Sequence, residues 1–192
     1  MPRAGLTRSV IAADAAELVD EIGWEQLTLA AVAARFGVRQ PSLYKHVAGL
    51  SELRRDIGVL AGRELGEELA TAAVGKSGPD AMLAMADAYR TYAKKHPGRY
   101  AASVIAPTRG DTEYEQVGAS VLRTVAAVLG GYGLTGDDTI HAIRGLRALM
   151  HGFVSLEAAG GFAMPLDLDE SYRRLVEGFS NTLTRSSEQS TV

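Results

Sequence analysis

The stretch from Thr28 to Val47 constrains this chain more than any other. Thr28 is a good N-cap, and Leu29, Val32, Ala33 and Phe36 follow it at helical spacing. Gly37 supplies the left-handed conformation that ends a helix. Val38 returns to the core, and Pro41 stands where the first turn of a second helix needs no N–H donor. Leu43 and Val47, four apart, give that second helix one apolar face, while Arg39, Gln40, Ser42, Tyr44, Lys45 and His46 occupy its other faces. Two short helices joined by a tight turn in this way make a helix-turn-helix, and the second helix has the diameter of the DNA major groove.

The charge distribution agrees with such a face. Net charge is −3 over 192 residues, so a surface for nucleic acid has to be local. Asp14, Glu17, Asp20, Glu21 and Glu25 cluster in the first helical segment and its exit. From Val38 to Arg55, by contrast, Arg39, Lys45, Arg54 and Arg55 stand against Glu52 alone, with His46 titratable. A basic patch on an acidic protein suits a molecule that must leave DNA as well as bind it.

The rest of the chain reads as helices and turns, without alternating strands or internal repeats, so the expected class is all-α. A helix over residues 7–22 carries Val10, Ile11, Ala15, Leu18, Val19 and Ile22 as its buried stripe and stops at Gly23, with Trp24 and Leu27 locking the exit. Ser51 is expected to cap a helix over 51–72 with Leu53, Ile57, Leu60, Leu65 and Leu69 inward. Its Gly58, Gly62 and Gly66 recur every four residues, which suits close backbone packing. Val74 to Pro79 is a linker. Residues 80–95 put Met82, Leu83, Met85, Ala86, Tyr89, Tyr92 and Ala93 on one face, and His96, Pro97 and Gly98 break that helix. A short helix follows over 99–105, then a helix over 112–129. Asp137 or Asp138 caps a long helix to about residue 159 that is apolar nearly all round, and a last helix spans 169–184 with Tyr172, Leu175, Val176, Phe179 and Leu183 as its stripe. The expected organisation is a three-helix DNA-binding module over 1–50, a ligand-binding and dimerisation domain over 51–185 whose first helix connects the two, and a disordered tail over 186–192.

The chain resembles the TetR family of one-component bacterial regulators. The resemblance rests on residues 7–55, above all on Gly23-Trp24, Leu27-Thr28, Val32-Ala33, Phe36-Gly37-Val38 and the run from Pro41 to His46. His151-Gly152-Phe153 and the following Leu156, Glu157, Gly160, Gly161 and Phe162 are similar to the "WHG" type of C-terminal domain, with Met150 in place of Trp. The resemblance implies a ligand-responsive regulator, most simply a repressor, with an activator of the same fold as the alternative. It implies a homodimer on a palindromic double-stranded DNA operator, released by a small effector. Where many members carry a phosphate-binding Lys ahead of the connecting helix, this chain has Leu50. The N–H groups at Ser51, or Arg54 and Arg55 by another route, are left to hold that phosphate.

On the DNA face, Gln40 can pair with adenine N6 and N7, and Arg39 with guanine O6 and N7 or with a phosphate. Pro41 and the Tyr44 ring offer apolar contact to thymine methyl groups or sugars. Ser42, Lys45, His46 and the Tyr44 hydroxyl are candidate phosphate donors, and Thr28 can reach a phosphate while capping its helix. One such helix reads too little DNA to specify a site. A two-fold dimer built on the helices over 138–159 and 169–184 sets two copies in successive major grooves.

The candidate effector residues are Tyr89, Tyr92, Arg144, Met150, His151, Phe153 and Phe162. His141, Arg144, Ala148, His151 and Ser155 follow steps of three and four and so share one stripe. Met82, Met85 and Met164 add adaptable walls. A mostly apolar cavity anchored by Tyr92, Arg144 and His151 would take a small apolar molecule, aromatic or anionic. The alternatives are that His141 and Arg144 bond across a dimer and that His151 is a satisfied core histidine.

Other chemistries find little support. There is no Gly-x-Ser-x-Gly elbow and no His-Glu-x-x-His. Gly75-Lys76-Ser77 lacks the upstream glycine and strand of a phosphate loop, and Arg109-Gly110-Asp111 is a chance tripeptide in a loop. A helical protein-interaction module is the remaining rival. No cofactor or metal is expected. The first residues lack the apolar core of a secretion signal, no cysteine is present, and no run approaches the roughly 18 apolar residues of a membrane span. These features fit a cytoplasmic protein.

Overall fold

The computed structural model describes residues 6–189, with side chains through Thr184. Among these residues no strand occurs. The helices are α1 (Arg8–Ile22), α2 (Leu29–Arg35), α3 (Leu50–Ala73), α4 (Gly78–Lys95), α5 (Pro97–Ser103), α6 (Thr112–Gly130), α7 (Gly136–Ala158) and α8 (Leu168–Gln189). Two 3-10 segments, Trp24–Gln26 and Gln40–Lys45, flank α2.

The chain forms two compact units, and each is discontinuous in sequence. The first comprises the chain through Leu65 together with Lys95–Gly118, and the second comprises Gly66–Lys94 together with the chain from Ala119.

In the first unit, α1, α2, the Gln40–Lys45 segment and the start of α3 enclose a core of Ile11, Ala15, Val19, Leu27, Leu29, Val32, Ala33, Leu43, Val47, Leu53 and Ile57. Thr7 caps α1, its hydroxyl accepting the Val10 N–H at 3.2 Å. Val10, expected in the α1 stripe, is exposed; Ala12 and Ala16 take the buried places beside Ile11 and Ala15. The acidic face of α1 is not idle, because Arg35 of α2 reaches Asp14 at 2.6 Å, Glu21 at 2.8 Å and Glu17 at 3.3 Å. The glycines of α3 admit α6. A Cβ at Gly58 would lie 2.5 Å from the Tyr114 hydroxyl, and one at Gly62 would lie 3.0 Å from Val117.

In the second unit the core is built by Met82, Met85, Ala86, Tyr89 and Tyr92 of α4, Val125, Val128 and Leu129 of α6, Ile143, Leu146, Met150, Phe153 and Val154 of α7, and Tyr172 and Val176 of α8. Its buried hydroxyls are satisfied: Tyr172 donates to the Ala86 carbonyl at 2.8 Å, and Tyr132 and Ser180 bond at 2.7 Å.

Three boundaries differ from expectation. Ser51 does not cap α3; the helix already includes Leu50, and the Glu52 carboxylate instead reaches back to the Ala48 N–H at 2.5 Å. Asp137 and Asp138 lie inside the first turn of α7, where their charge opposes the positive end of the helix dipole, and Thr135 holds the cap position without a side-chain bond. The backbone of α8 runs on to Gln189, so residues 186–189 of the expected tail are helical and residues 190–192 lie outside the described residues. The breadth of apolar surface on α7 also resolves into two sides. Ile143, Leu146, Met150, Phe153 and Val154 are buried, whereas Ile140 and Leu156 are exposed.

Candidate functional site

The turn between α2 and the Gln40–Lys45 segment is set by local bonding. Thr28 accepts the Ala31 N–H at 3.1 Å and starts α2. At the other end Val38 N–H donates to the Ala33 carbonyl and Gly37 N–H to the Ala34 carbonyl, both at 3.0 Å, with Gly37 at φ +63°. This is a Schellman close, which only a residue at ease with positive φ completes without strain. Val38 then joins the core and Arg39 turns the chain back outward.

The second element is shorter and tighter than an α-helix. Ser42 N–H bonds to the Arg39 carbonyl and His46 N–H to the Leu43 carbonyl, both at 2.8 Å and both i to i+3, while just beyond the segment Val47 N–H makes an α-type bond to the Leu43 carbonyl at 3.0 Å. Six residues of 3-10 winding span about 12 Å. Leu43 and Val47 are buried as expected, and they fix which side faces away. Arg39, Gln40, Pro41, Tyr44 and Lys45 are exposed, and Ser42 and His46 half-buried. The Gln40 side-chain N–H reaches the Tyr44 hydroxyl at 3.5 Å. Thr28 is exposed at the start of α2, its hydroxyl already engaged as a cap. The eight candidate DNA residues therefore present side chains to solvent around one buried edge.

Arg55, the basic residue expected to offer an alternative phosphate contact, is engaged within the protein. Arg55 is bound by both carboxylate oxygens of Asp111 at 2.6 Å, by Glu113 at 2.8 Å and by Asp56 at 3.0 Å, so it is not free to meet a phosphate as expected. Asp111 is held down at about 2, first by the Arg55 hydrogen bond. Arg54 lies over the Trp24 ring at 5.3 Å. A cavity of about 650 Å³ opens beside this network, lined by the charged Arg8, Arg55, Asp56, Arg63 and Glu113 and by the apolar Ala12, Val59 and Leu60.

In the second unit the expected effector residues part company. Tyr89, Tyr92, Met150 and Phe153 are buried, His151 is half-buried, and Phe162 is at the surface with its ring 4.8 Å from Phe153. Arg144 is exposed, together with His141, Ala148 and Ser155. The stripe they share points away from the core, because Ile143, Leu146, Met150 and Phe153 take the inward side of α7. Arg144 is therefore not the inward anchor. The buried arginine of this unit is Arg90 of α4, which sequence reasoning missed. Its guanidinium lies 5.5 Å from the Phe153 ring and 5.2 Å from the Tyr172 ring. Glu157 and Asp169 pair with it. The available signal was spacing: Arg90 follows Ala86 by four and precedes Ala93 by three, all buried on one face of α4.

An all-helical chain with a solvent-facing helix-turn-helix at its N-terminal end is a DNA-binding protein of the helix-turn-helix class. A family model described as "Tetracyclin repressor-like, C-terminal domain" matches residues 82–179. The chain is 39% identical over 158 residues to "Uncharacterized HTH-type transcriptional regulator Rv0681" of Mycobacterium tuberculosis, covering 82% of this chain and 72% of that one. It is 36% identical over 183 residues to "Uncharacterized HTH-type transcriptional regulator YobS" of Bacillus subtilis, covering 95% of each. The fold is similar to that of a protein of unknown function from Rhodococcus sp. RHA1 (TM-score 0.75, 21% identity, 96% of this chain and 97% of that one). It is also similar to a TetR variant from Acinetobacter baumannii AYE in complex with minocycline (TM-score 0.70, 20% identity, 95% and 98%). The chain belongs to the TetR family of transcriptional regulators. Its relatives are regulators and not enzymes, and members of the family bind DNA and small molecules, usually as dimers. Among the described residues no helix is long and apolar enough to cross a membrane, and no cluster of metal-ligating side chains occurs.

Proposed function

We propose that this chain is a cytoplasmic, ligand-responsive repressor that binds a palindromic operator as a homodimer and is released by a small effector. The observation that carries the reading is the outward display of Arg39, Gln40, Pro41, Tyr44 and Lys45 around buried Leu43 and Val47. Gln40 and Arg39 read base edges, while Lys45, Ser42, His46 and Thr28 fix register on phosphates. The exposed side of α7, from Ile140 through Arg144 to Ser155, together with exposed Leu175 of α8, supplies the surface for the second copy. An effector with an apolar or aromatic body suits the ring cluster of Phe153, Phe162 and Tyr172, with Arg90 as its polar neighbour. The minocycline complex of the structural neighbour lends support to small-molecule binding by this fold.

The test is a mobility-shift assay on DNA selected from a random pool, with a Tyr44→Ala, Lys45→Ala double variant as the comparison. Wild type should shift the selected duplex at far lower concentration than a scrambled one. The folded double variant should bind the selected duplex far more weakly than wild type does. Adding candidate effectors to the bound complex then tests release, since only a ligand with different affinity for the two states shifts the population. Equal affinity of wild type for selected and scrambled DNA would defeat the reading.

A further inference from the structure

The cavity of about 650 Å³ lies wholly within the first unit, between the first turn of α1, the first half of α3 and the start of α6. Small-molecule sites run to roughly 300–1,000 Å³, so it has the size of one. Ala12, Val59 and Leu60 make its apolar part. Its polar part is made by three arginines, two carboxylates and the hydroxyls of Thr7 and Ser9, which lie 3.1 Å apart.

The carboxylates are already committed. Asp56 is 9% exposed and accepts from Arg8 Nε at 2.6 Å, from Arg8 Nη2 at 2.7 Å and from Arg55 Nη1 at 3.0 Å. Glu113 accepts from Arg55 Nη2 at 2.8 Å. Arg8 and Arg55 are committed by the same bonds, and further by Glu52 and Asp111. Arg63 differs. Its partner among the described residues is Glu113 at 3.6 Å, longer than a hydrogen bond, and its side chain is 55% exposed. The charge that this lining has left to offer is therefore positive. The first turn of α1 adds to it, because N–H groups there lack partners within their own helix and the dipole favours negative charge.

We propose that this cavity binds a small amphipathic anion. Its apolar body lies against Ala12, Val59 and Leu60, and its carboxylate or phosphate head sits on Arg63, whose planar fork suits either group. The head takes Arg63 from Glu113, which keeps its shorter bond to Arg55. The site shares no residue with the ring cluster of Phe153, Phe162 and Tyr172 or with the recognition segment, and its occupancy is measured without DNA.

The experiment is calorimetric titration of the full chain, at constant ionic strength, with probes that share one tail: hexanoate, hexyl phosphate, hexylamine and hexanol. At least one of the two anions should bind about tenfold or more tightly than the amine and the alcohol, and the tighter anion identifies the head group. Arg63→Gln should weaken that anion by about tenfold or more, as loss of a charge-assisted hydrogen bond requires. Glu113→Gln removes the competing carboxylate and should tighten the same anion by about threefold or more. Both side chains are more than half exposed, and thermal melts check that both variants fold. Opposite shifts in the two variants support the site, since a merely structural role for the pair would move both the same way. Equal binding of all the probes, no binding of either anion, or an Arg63→Gln affinity equal to that of wild type would overturn it.

Discussion

Glu157 of α7 accepts two hydrogen bonds from Arg90 of α4, from Nε and from Nη2, each at 2.7 Å. The two side chains are 10% and 12% exposed. Asp169 approaches Arg90 at 2.8 Å, but its side chain is 82% exposed and contributes little. The Glu157 carboxylate is accordingly held below its usual range, first by the Arg90 hydrogen bond. The pair pins α4 to α7 inside the second unit.

Removing one member of such a pair leaves the other charge uncompensated, which costs about 3–5 kcal/mol when nothing replaces it. Lys94 remains 3.2 Å from Glu157, so the lower end applies. Arg90→Met is expected to reduce the free energy of unfolding by about 3 kcal/mol, measured by urea titration. A loss below about 1 kcal/mol would place the pair with ordinary surface bridges.

Adjacent positions in the recognition segment should separate folding from binding. Leu43 is fully buried, and Leu43→Ala should cost about 2–5 kcal/mol of stability. Tyr44 is 54% exposed, and Tyr44→Ala should change stability by no more than about 0.5 kcal/mol while weakening DNA binding. Thermal melts and mobility shifts on the same samples check both. A strongly destabilised Tyr44→Ala would mean that the ring is structural.

Lys45 and Gln40 should differ in kind. Lys45→Ala should weaken selected and scrambled DNA alike and should make the slope of log affinity against log salt shallower by roughly 1 in each subunit. Gln40→Ala should leave the salt slope unchanged and relax preference at one base position, worth roughly 1–3 kcal/mol of discrimination. Identical salt slopes in Lys45→Ala and wild type would show that Lys45 does not meet a phosphate.

Acid should loosen the first unit through Asp111. Its folded value of about 2 lies below the ordinary 3.8, so folding favours the ionised form. The stabilisation is complete above about pH 4 and is lost as pH falls toward about 2. Asp111→Asn should therefore melt lower than wild type at neutral pH, with the difference shrinking across that window. A difference that stays constant down to pH about 2 would show that Arg55 does not favour the ionised carboxylate over its protonated form.

Where residues carry a periodic apolar signal, the sequence is readable. Thr28, Gly37, Pro41, Leu43 and Val47 place the turn and its buried edge because each acts on the backbone within a few residues of itself. The winding of Gln40–Lys45 is not readable, since one i to i+4 pair of apolar residues suits either a short α-helix or a 3-10 turn. The polar stripe of α7 faces the opposite way from the sequence expectation. A helix rich in apolar residues on several sides does not say which polar line faces its neighbours, and Ile143, Leu146, Met150 and Phe153 take that side. Arg90 and Asp20 escape a sequence reading for a different reason. Their partners Glu157 and His96 lie 67 and 76 residues away, and only the folded chain joins them.

The most direct test of operator recognition is selection of bound duplexes from a random DNA pool. The expected result is one two-fold-symmetric motif, its half-sites centred about one helical turn apart, 34–36 Å or slightly more. Sequences recovered without enrichment over the starting pool, from protein that is folded and dimeric, would contradict it.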